Sequence, residues 1–325
     1  MTLVMLLGGL VLLVLGGELL VRGAVAIAGK LGVSPLMIGL TIVGMGTSMP
    51  ELAASLQAAL SGSPGIALGN IVGSNIANIL LILGIAALLA PISVARGTLW
   101  RDGGVGVLAA LALLLFGLTT GLGRLAGLSL LALMVGYLDL AYRQERRAVA
   151  HSAAIDKANA LGNIDPALDP DAPKETGWFV SSAILVAGLG LIVGGGTLLV
   201  EAAVALAIDL GMSETLVGLT IVAVGTSLPE LVTSAVAAIR KQSEVALGNV
   251  LGSNIYNVFF IGGMTGAIAP TPVPDAIIAF DLPVLIGVSL LAMLLAWTGG
   301  KLSRIEGFGL VLAYGCYLAF TAGLL

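Results

Sequence analysis

Apolar positions in this chain come in long unbroken runs, not in the alternation of a half-buried strand or the stripe of a surface helix. Cutting the runs at polar and Gly/Pro clusters predicts ten segments: 3–29, 35–60, 66–90, 103–119, 124–142, 177–208, 215–239, 244–269, 283–298 and 306–324. A bilayer core takes about 20 residues of helix. The pattern therefore predicts an all-α polytopic membrane protein with about ten transmembrane helices. The first and sixth segments are long enough to cross at a strong tilt. Five segments precede a polar stretch at 143–176 and five follow it, which predicts a division into 1–142, 143–176 and 177–325. The polar stretch opens with RQERRAVAH and continues through NIDPALDPDAPKE. Its proline and aspartate content predicts a connecting loop without a core of its own. The first apolar run lacks the basic flank of a signal peptide, and residues 16–29 recur later, so a retained helix is expected.

The chain carries its most distinctive stretch twice. GMGTSMPELAAS (Gly44 to Ser55) returns as AVGTSLPELVTS (Ala223 to Ser234), an offset of 179 residues. The same offset carries ALGNIVGSNIAN (67–78) onto ALGNVLGSNIYN (246–257), GLTIV at Gly39 onto GLTIV at Gly218, and GG-x-LLV at Gly16 onto GG-x-LLV at Gly195. A repeat of this length is an architecture. Lysine and arginine then orient it. With the N-terminus outside, the cytoplasmic ends and loops collect Arg22, Lys30, Arg96, Arg101, Arg143, Arg146, Arg147, Lys157, Lys174, Arg240, Lys241, Lys301 and Arg304, and only Arg124 falls outside. The loop Ser61 to Gly65 is uncharged, whereas its repeat partner carries Arg240 and Lys241. Equivalent loops on opposite sides require an odd number of spans per repeat, so the halves are expected to be inverted five-helix copies. Inverted repeats meeting near the midplane are a transporter design.

Composition narrows the class. The chain is 58% hydrophobic and 10% charged, with mean hydropathy +1.11, against about 25% charged for soluble domains. A lipid bilayer is the expected surrounding, and nothing points to nucleic acid. The lone Cys316 excludes an internal disulfide framework and is expected to be a small apolar packing residue; the lone His151 excludes a histidine metal cluster.

The chemistry lies in the repeated block. Pro50 has no backbone N–H and clashes with the preceding turn, so it fits best at the start of a new half-helix with Ser48 or Met49 as cap region. The preceding half-helix must end near Gly44 to Thr47, and carbonyls freed there need protein, water or an ion as partner. Carbonyls, the hydroxyls of Thr47 and Ser48, and the Glu51 carboxylate form an oxygen set suited to a hard cation. Calcium takes six to eight oxygens at roughly 2.3–2.6 Å, more than one copy supplies. Two inverted copies supply enough, with Glu51 and Glu230 facing each other among Thr47, Ser48, Thr226 and Ser227. Ser74 and Asn78 share a helix face four residues apart, as do Ser253 and Asn257. Gly69, Gly73, Gly248 and Gly252 lie on a neighbouring face suited to close helix packing. Neither glutamate has a basic residue in its span, which points to a cation as partner. Glu18 with Arg22, and Asp139 with Arg143, have the spacing of helix-face ion pairs. Gln57 and Glu201 have no repeat partner of the same type and stay outside the expected site.

GTS-x-PEL followed by GN-x-x-GSN-I-x-N, twice, resembles the cation/calcium exchanger superfamily in its Na+/Ca2+ exchanger branch. The similarity covers both repeats. The H+/Ca2+ branch typically has a GN-A-x-E type sequence where this chain has Gly46-Thr47-Ser48-Met49-Pro50-Glu51, which favours sodium coupling; a cation/H+ antiporter on the same fold is the alternative. The resemblance implies a prokaryotic-type exchanger of a cytoplasmic membrane, not an enzyme. It would work without a cofactor, moving Ca2+ one way and about three Na+ the other by alternating access, with the first and sixth helices sliding against the rest. Carried over by position, Glu51 and Glu230 are the central carboxylates. Thr47, Ser48, Thr226, Ser227, Ser74 and Ser253 give oxygens, and Asn78 and Asn257 complete the ring. Many relatives have aspartate at the position of Asn257; with asparagine the site holds two carboxylates. An intramembrane hydrolase would not need hydroxyl and amide ligands duplicated around both acids, and a passive channel finds no pore-forming pattern in the sequence.

Overall fold

The computed structural model describes residues 2–160, 177–209 and 223–321. They form an almost wholly helical body. Among them, seven helices are long and apolar enough to cross a membrane, and an eighth if the bent pair Pro35–Thr47 and Met49–Leu60 counts as one span. Large apolar side chains such as Leu125, Phe179 and Ile305 are more than 80% exposed. A surface of this kind belongs in lipid, where apolar exposure costs nothing.

Two helices make the centre. Within Pro64–Leu89 and Ser243–Ile268, 78% and 89% of the most apolar stretch is buried, against 22–35% in the other five single spans. These are the helices that carry the ALGN-x-x-GSN blocks. Each is interrupted by a π-helical segment, at Asn78–Ile82 and Tyr256–Gly262. A π turn inserts an extra residue into the helical ladder and re-aims the side chains around it, which is common at functional sites.

The first helix, Thr2–Leu31, packs lengthwise and antiparallel against Trp178–Asp209. Their seam is glycine. A Cβ on Gly9 would stand 2.8 Å from the Gly195 carbonyl oxygen, and one on Gly16 would stand 2.9 Å from that of Gly188. Gly9, Gly16 and Gly23 are seven residues apart, as are Gly188 and Gly195. That spacing keeps one narrow face turned to the partner over several turns, and small residues there let the backbones touch. Gly248 and Gly252 do the same work elsewhere, against the backbone of Leu36 and Leu40. The repeat-equivalent partners of Gly69 and Gly73 fall at 215–219, outside the described residues.

Contacts between the halves are reciprocal. Ile92–Ser93 pairs antiparallel with Lys301–Leu302, while Thr271 pairs with Leu122. Subtracting the 179-residue offset from Lys301 gives Leu122, and adding it to Ile92 gives Thr271. This contact between the halves therefore has a near-equivalent running the other way, one residue apart in register, as in a self-complementary two-fold interface.

Three expectations change. The helix that begins at Arg124 does not stop near 142 but runs to Ala160, so 143–160 is helical, not loop. Ala, Gln, Glu, Arg and Lys dominate that stretch, with no Gly or Pro before Gly162, and these are good helix formers. The remainder, 161–176, lies outside the described residues. Cys316 is exposed, facing outward instead of packing inside. Glu18 pairs with Arg22 at 2.5 Å as the spacing predicts, but it also pairs with Arg240 of the other half. Asp139 and Arg143 pair at 2.9 Å as expected.

Candidate cation site

The break in each GTS-x-PEL segment falls where proline chemistry puts it. The helical turn Gly44–Thr47 ends, Ser48 leaves helical geometry at φ −84°, ψ 4°, and Met49–Leu60 starts with proline in its first turn. The direction changes by 43°. Ser227 repeats the geometry at φ −89°, ψ 6°, ahead of Leu228–Ile239. Both glutamates sit in the first turn of the new half-helix, where the positive end of the helix dipole favours a carboxylate.

The offset kink brings the two motifs together. Ser227 donates its hydroxyl to Glu51 Oε1 at 3.1 Å, and Ser48 donates to Glu230 Oε1 at 3.1 Å. Ser253 also donates to Glu230 Oε1, at 3.4 Å. Each carboxylate is thus addressed by a serine of the opposite half. Thr47 donates toward Asn249 Oδ1 at 3.2 Å and toward the Val43 carbonyl at 3.1 Å; Thr226 donates to Asn70 Oδ1 at 3.5 Å. Asn70 in turn donates to the Glu51 carbonyl at 3.2 Å and to Ser55 Oγ at 2.9 Å. Asn249 makes the same two bonds to the Glu230 carbonyl and Ser234, also at 3.2 and 2.9 Å.

Asn78 and Asn257 lie on the π-helical segments, each packed against the glutamate-bearing helix of the other half. Asn78 donates its amide to Asn254 Oδ1 at 3.0 Å, and Asn257 donates to Asn75 Oδ1 at 3.1 Å. Of the ten residues expected from sequence, nine are buried and Thr226 is half-buried. Ser74 is buried on the Asn78 helix, but no bond ties it to a glutamate as Ser253 is tied to Glu230. Gln57 and Glu201 are exposed, in keeping with their exclusion.

Besides the hydroxyls of Thr233 and Thr265, four buried side-chain oxygens are left without a partner among the described residues. Glu51 Oε2, Glu230 Oε2, Asn78 Oδ1 and Asn257 Oδ1 are buried and accept no hydrogen bond from the described residues. They are two repeat-equivalent pairs. Buried polar atoms are almost always satisfied, and a charge at the centre of a membrane helix costs roughly 2.5–3.5 kcal/mol even on the mildest scales. Asp102 shows the ordinary solution: fully buried, it takes two bonds from Arg101, at 2.6 and 2.8 Å, and one from Tyr137 at 3.0 Å. The glutamates have no such basic partner among the described residues. No cluster of three His, Cys, Asp or Glu side chains occurs among those residues either. A cation held here would meet two carboxylates and otherwise neutral oxygens.

Sequence reasoning missed Asn70, Asn249, Asn75 and Asn254 as parts of this network. All four stand in the duplicated GN-x-x-GSN block, so their duplication was the available signal.

A helical body with seven or eight apolar spans and paired buried oxygen acceptors defines an integral membrane protein with a polar centre. The Sodium/calcium exchanger protein family profile matches residues 1–143 and 180–323, and the chain belongs to that family. It is 37% identical to the sodium/calcium exchanger MaX1 of Methanosarcina acetivorans, across 96% of each chain. It is 35% identical to the inner membrane protein YrbG of Escherichia coli, across 90% of this chain and 88% of that one. Among solved structures it is similar to the sodium-calcium exchanger NCX_Mj soaked with 2.5 mM Na+ and 0.1 mM Ca2+, with TM-score 0.82 and 30% identity over 98% of this chain and 97% of that one. The family makes this protein a membrane antiporter for cations including Ca2+.

Proposed function

We propose that the chain exchanges Na+ for Ca2+ by alternating access at one site shared by two inverted five-helix repeats. The observation that carries this reading is the set of unpaired acceptors on Glu51, Glu230, Asn78 and Asn257. Two carboxylates balance one Ca2+. The hydroxyls of Thr47, Ser48, Thr226, Ser227, Ser74 and Ser253 surround them with neutral oxygen, which suits a hard cation stripped of water. The serine bonds now made to Glu51 and Glu230 are the ones an arriving cation would replace or share. Relatives named as sodium/calcium exchangers support sodium as the coupling ion.

Alternating access needs two arrangements of the same contacts. Antiparallel packing of Thr2–Leu31 against Trp178–Asp209, together with the reciprocal connectors, supports repeats that run in opposite senses through the membrane. Ten spans, with the N- and C-termini outside and 143–176 inside, complete the reading. The protein needs no cofactor; its ligands are the transported Ca2+ and Na+. The deciding experiment is 45Ca2+ uptake into proteoliposomes. Uptake driven by an outward Na+ gradient supports the reading. Uptake driven by a pH gradient alone, and indifferent to Na+, would assign the glutamates to proton exchange instead.

A further inference from the structure

Asn78 and Asn257 are amides, and an amide has a wrong way round. Its oxygen attracts a cation and its NH2 repels one; a carboxylate has no such distinction. With asparagine at both positions, something must fix which end faces inward. The structure contains the fixing groups. Asn257 gives its NH2 to Asn75 Oδ1 at 3.1 Å, and Asn78 gives its NH2 to Asn254 Oδ1 at 3.0 Å. In both, the NH2 is engaged and the oxygen is the atom left without a hydrogen bond. Asn254 is itself held, because its NH2 reaches the backbone carbonyl of Asn75 at 3.4 Å. All four residues are buried, with exposures of 7% or less, so water is a poor substitute partner.

We propose that Asn75 and Asn254 are positioning residues that set the amide orientation of Asn257 and Asn78, each acting on a site residue of the other half. The inference rests on the cation site proposed above. The orienting bonds cross between halves, as the Ser227–Glu51 and Ser48–Glu230 bonds do, so any rearrangement of one half against the other acts on all of these together. The competing role is plain helix glue. It predicts lost stability with any substitution and no dependence on what stands at 78 or 257.

Equilibrium 45Ca2+ binding to the purified full-length protein separates the two. Asn75→Ala leaves the backbone carbonyl in place and removes only the acceptor for Asn257. It is expected to weaken Ca2+ binding about ten- to a hundred-fold, the usual effect of losing a group that orients a ligand. In an Asn257→Asp background the same Asn75→Ala change is expected to alter binding by no more than about two-fold, as for uncoupled sites, because a carboxylate needs no orienting. Asn254→Ala is the cross-check. Its effect should persist with Asn257→Asp and disappear with Asn78→Asp. If Asn75→Ala is not recovered folded, the Asn254/Asn78 pair carries the same test. Wild-type affinity in Asn75→Ala, or a loss undiminished by Asn257→Asp, overturns the inference alone. Failure of the unsubstituted protein to bind Ca2+ overturns the site and this inference together.

Discussion

Ser227 donates to Glu51 at 3.1 Å across the boundary between the two halves, and Ser48 returns the bond to Glu230 at the same distance. Each half thus completes the acidic centre of the other. Both bonds need residues from both halves, so under the proposed function the duplication serves the chemistry.

The first prediction concerns the carboxylates. Glu51→Gln and Glu230→Gln should each reduce 45Ca2+ transport at least about thirty-fold, from the roughly 2–5 kcal/mol lost on removing one member of a buried charge set. Both variants should remain folded, because glutamine keeps an acceptor for Ser227 or Ser48. Near-normal transport by either folded variant contradicts the shared site.

The second concerns the glycine seam. Gly16→Leu forces a side chain to within 2.7 Å of the Ile192 backbone nitrogen, whereas a Cβ at Gly8 meets nothing within 4 Å. Overpacking costs typically about 1–3 kcal/mol. Thermal unfolding in detergent should therefore drop by several degrees for Gly16→Leu and stay near the parent for Gly8→Leu. Equal effects would mean that helix composition, not the close approach to Trp178–Asp209, governs stability.

Much of this was legible in the sequence for a stated reason. Glu51, Glu230, Ser48 and Ser227 are duplicated at one offset in apolar surroundings, and Pro50 and Pro229 fix the helix breaks beside them. The partnering of those residues was not legible as bonds, because it depends on how one half docks on the other. Asn75 and Asn254 looked like further polar members of a motif; only the direction of their bonds gives them a role. The π segments at Asn78 and Tyr256 leave no periodicity signal, since they change the ladder without changing the apolar pattern. The helix through Ala160 was hidden by charge, which reads as loop unless helix propensity is weighed separately. Cys316 was misplaced because burial inside protein and exposure to lipid favour the same apolar residues.

The third prediction concerns orientation. The lysine and arginine distribution predicts that the 143–176 stretch lies on the cytoplasmic side, with Arg240 and Lys241. Single cysteines introduced between 155 and 170, in a Cys316→Ala background, should resist membrane-impermeant reagents in sealed cells and react once the cells are opened. Labelling from outside only would reverse the topology.

The fourth concerns charge. With Asn257 neutral, Glu51 and Glu230 give the site about −2 when both are ionised, which one Ca2+ or two Na+ neutralise. A third Na+ would have to rest on carbonyl and hydroxyl dipoles, since an uncompensated buried charge is costly. The family resemblance favours three, which would make exchange electrogenic. Uptake into vesicles clamped with potassium and valinomycin should change with imposed potential. Voltage-independent exchange with two Na+ per Ca2+ would reject the third sodium.

The most direct test is equilibrium binding of 45Ca2+ to the purified protein, titrated with Na+. A single site built from both halves predicts one Ca2+ per chain, displaced competitively by Na+, and lost when either Glu51 or Glu230 becomes glutamine. Two independent Ca2+ sites, each abolished only by its own glutamate, or binding that Na+ leaves untouched, would contradict it.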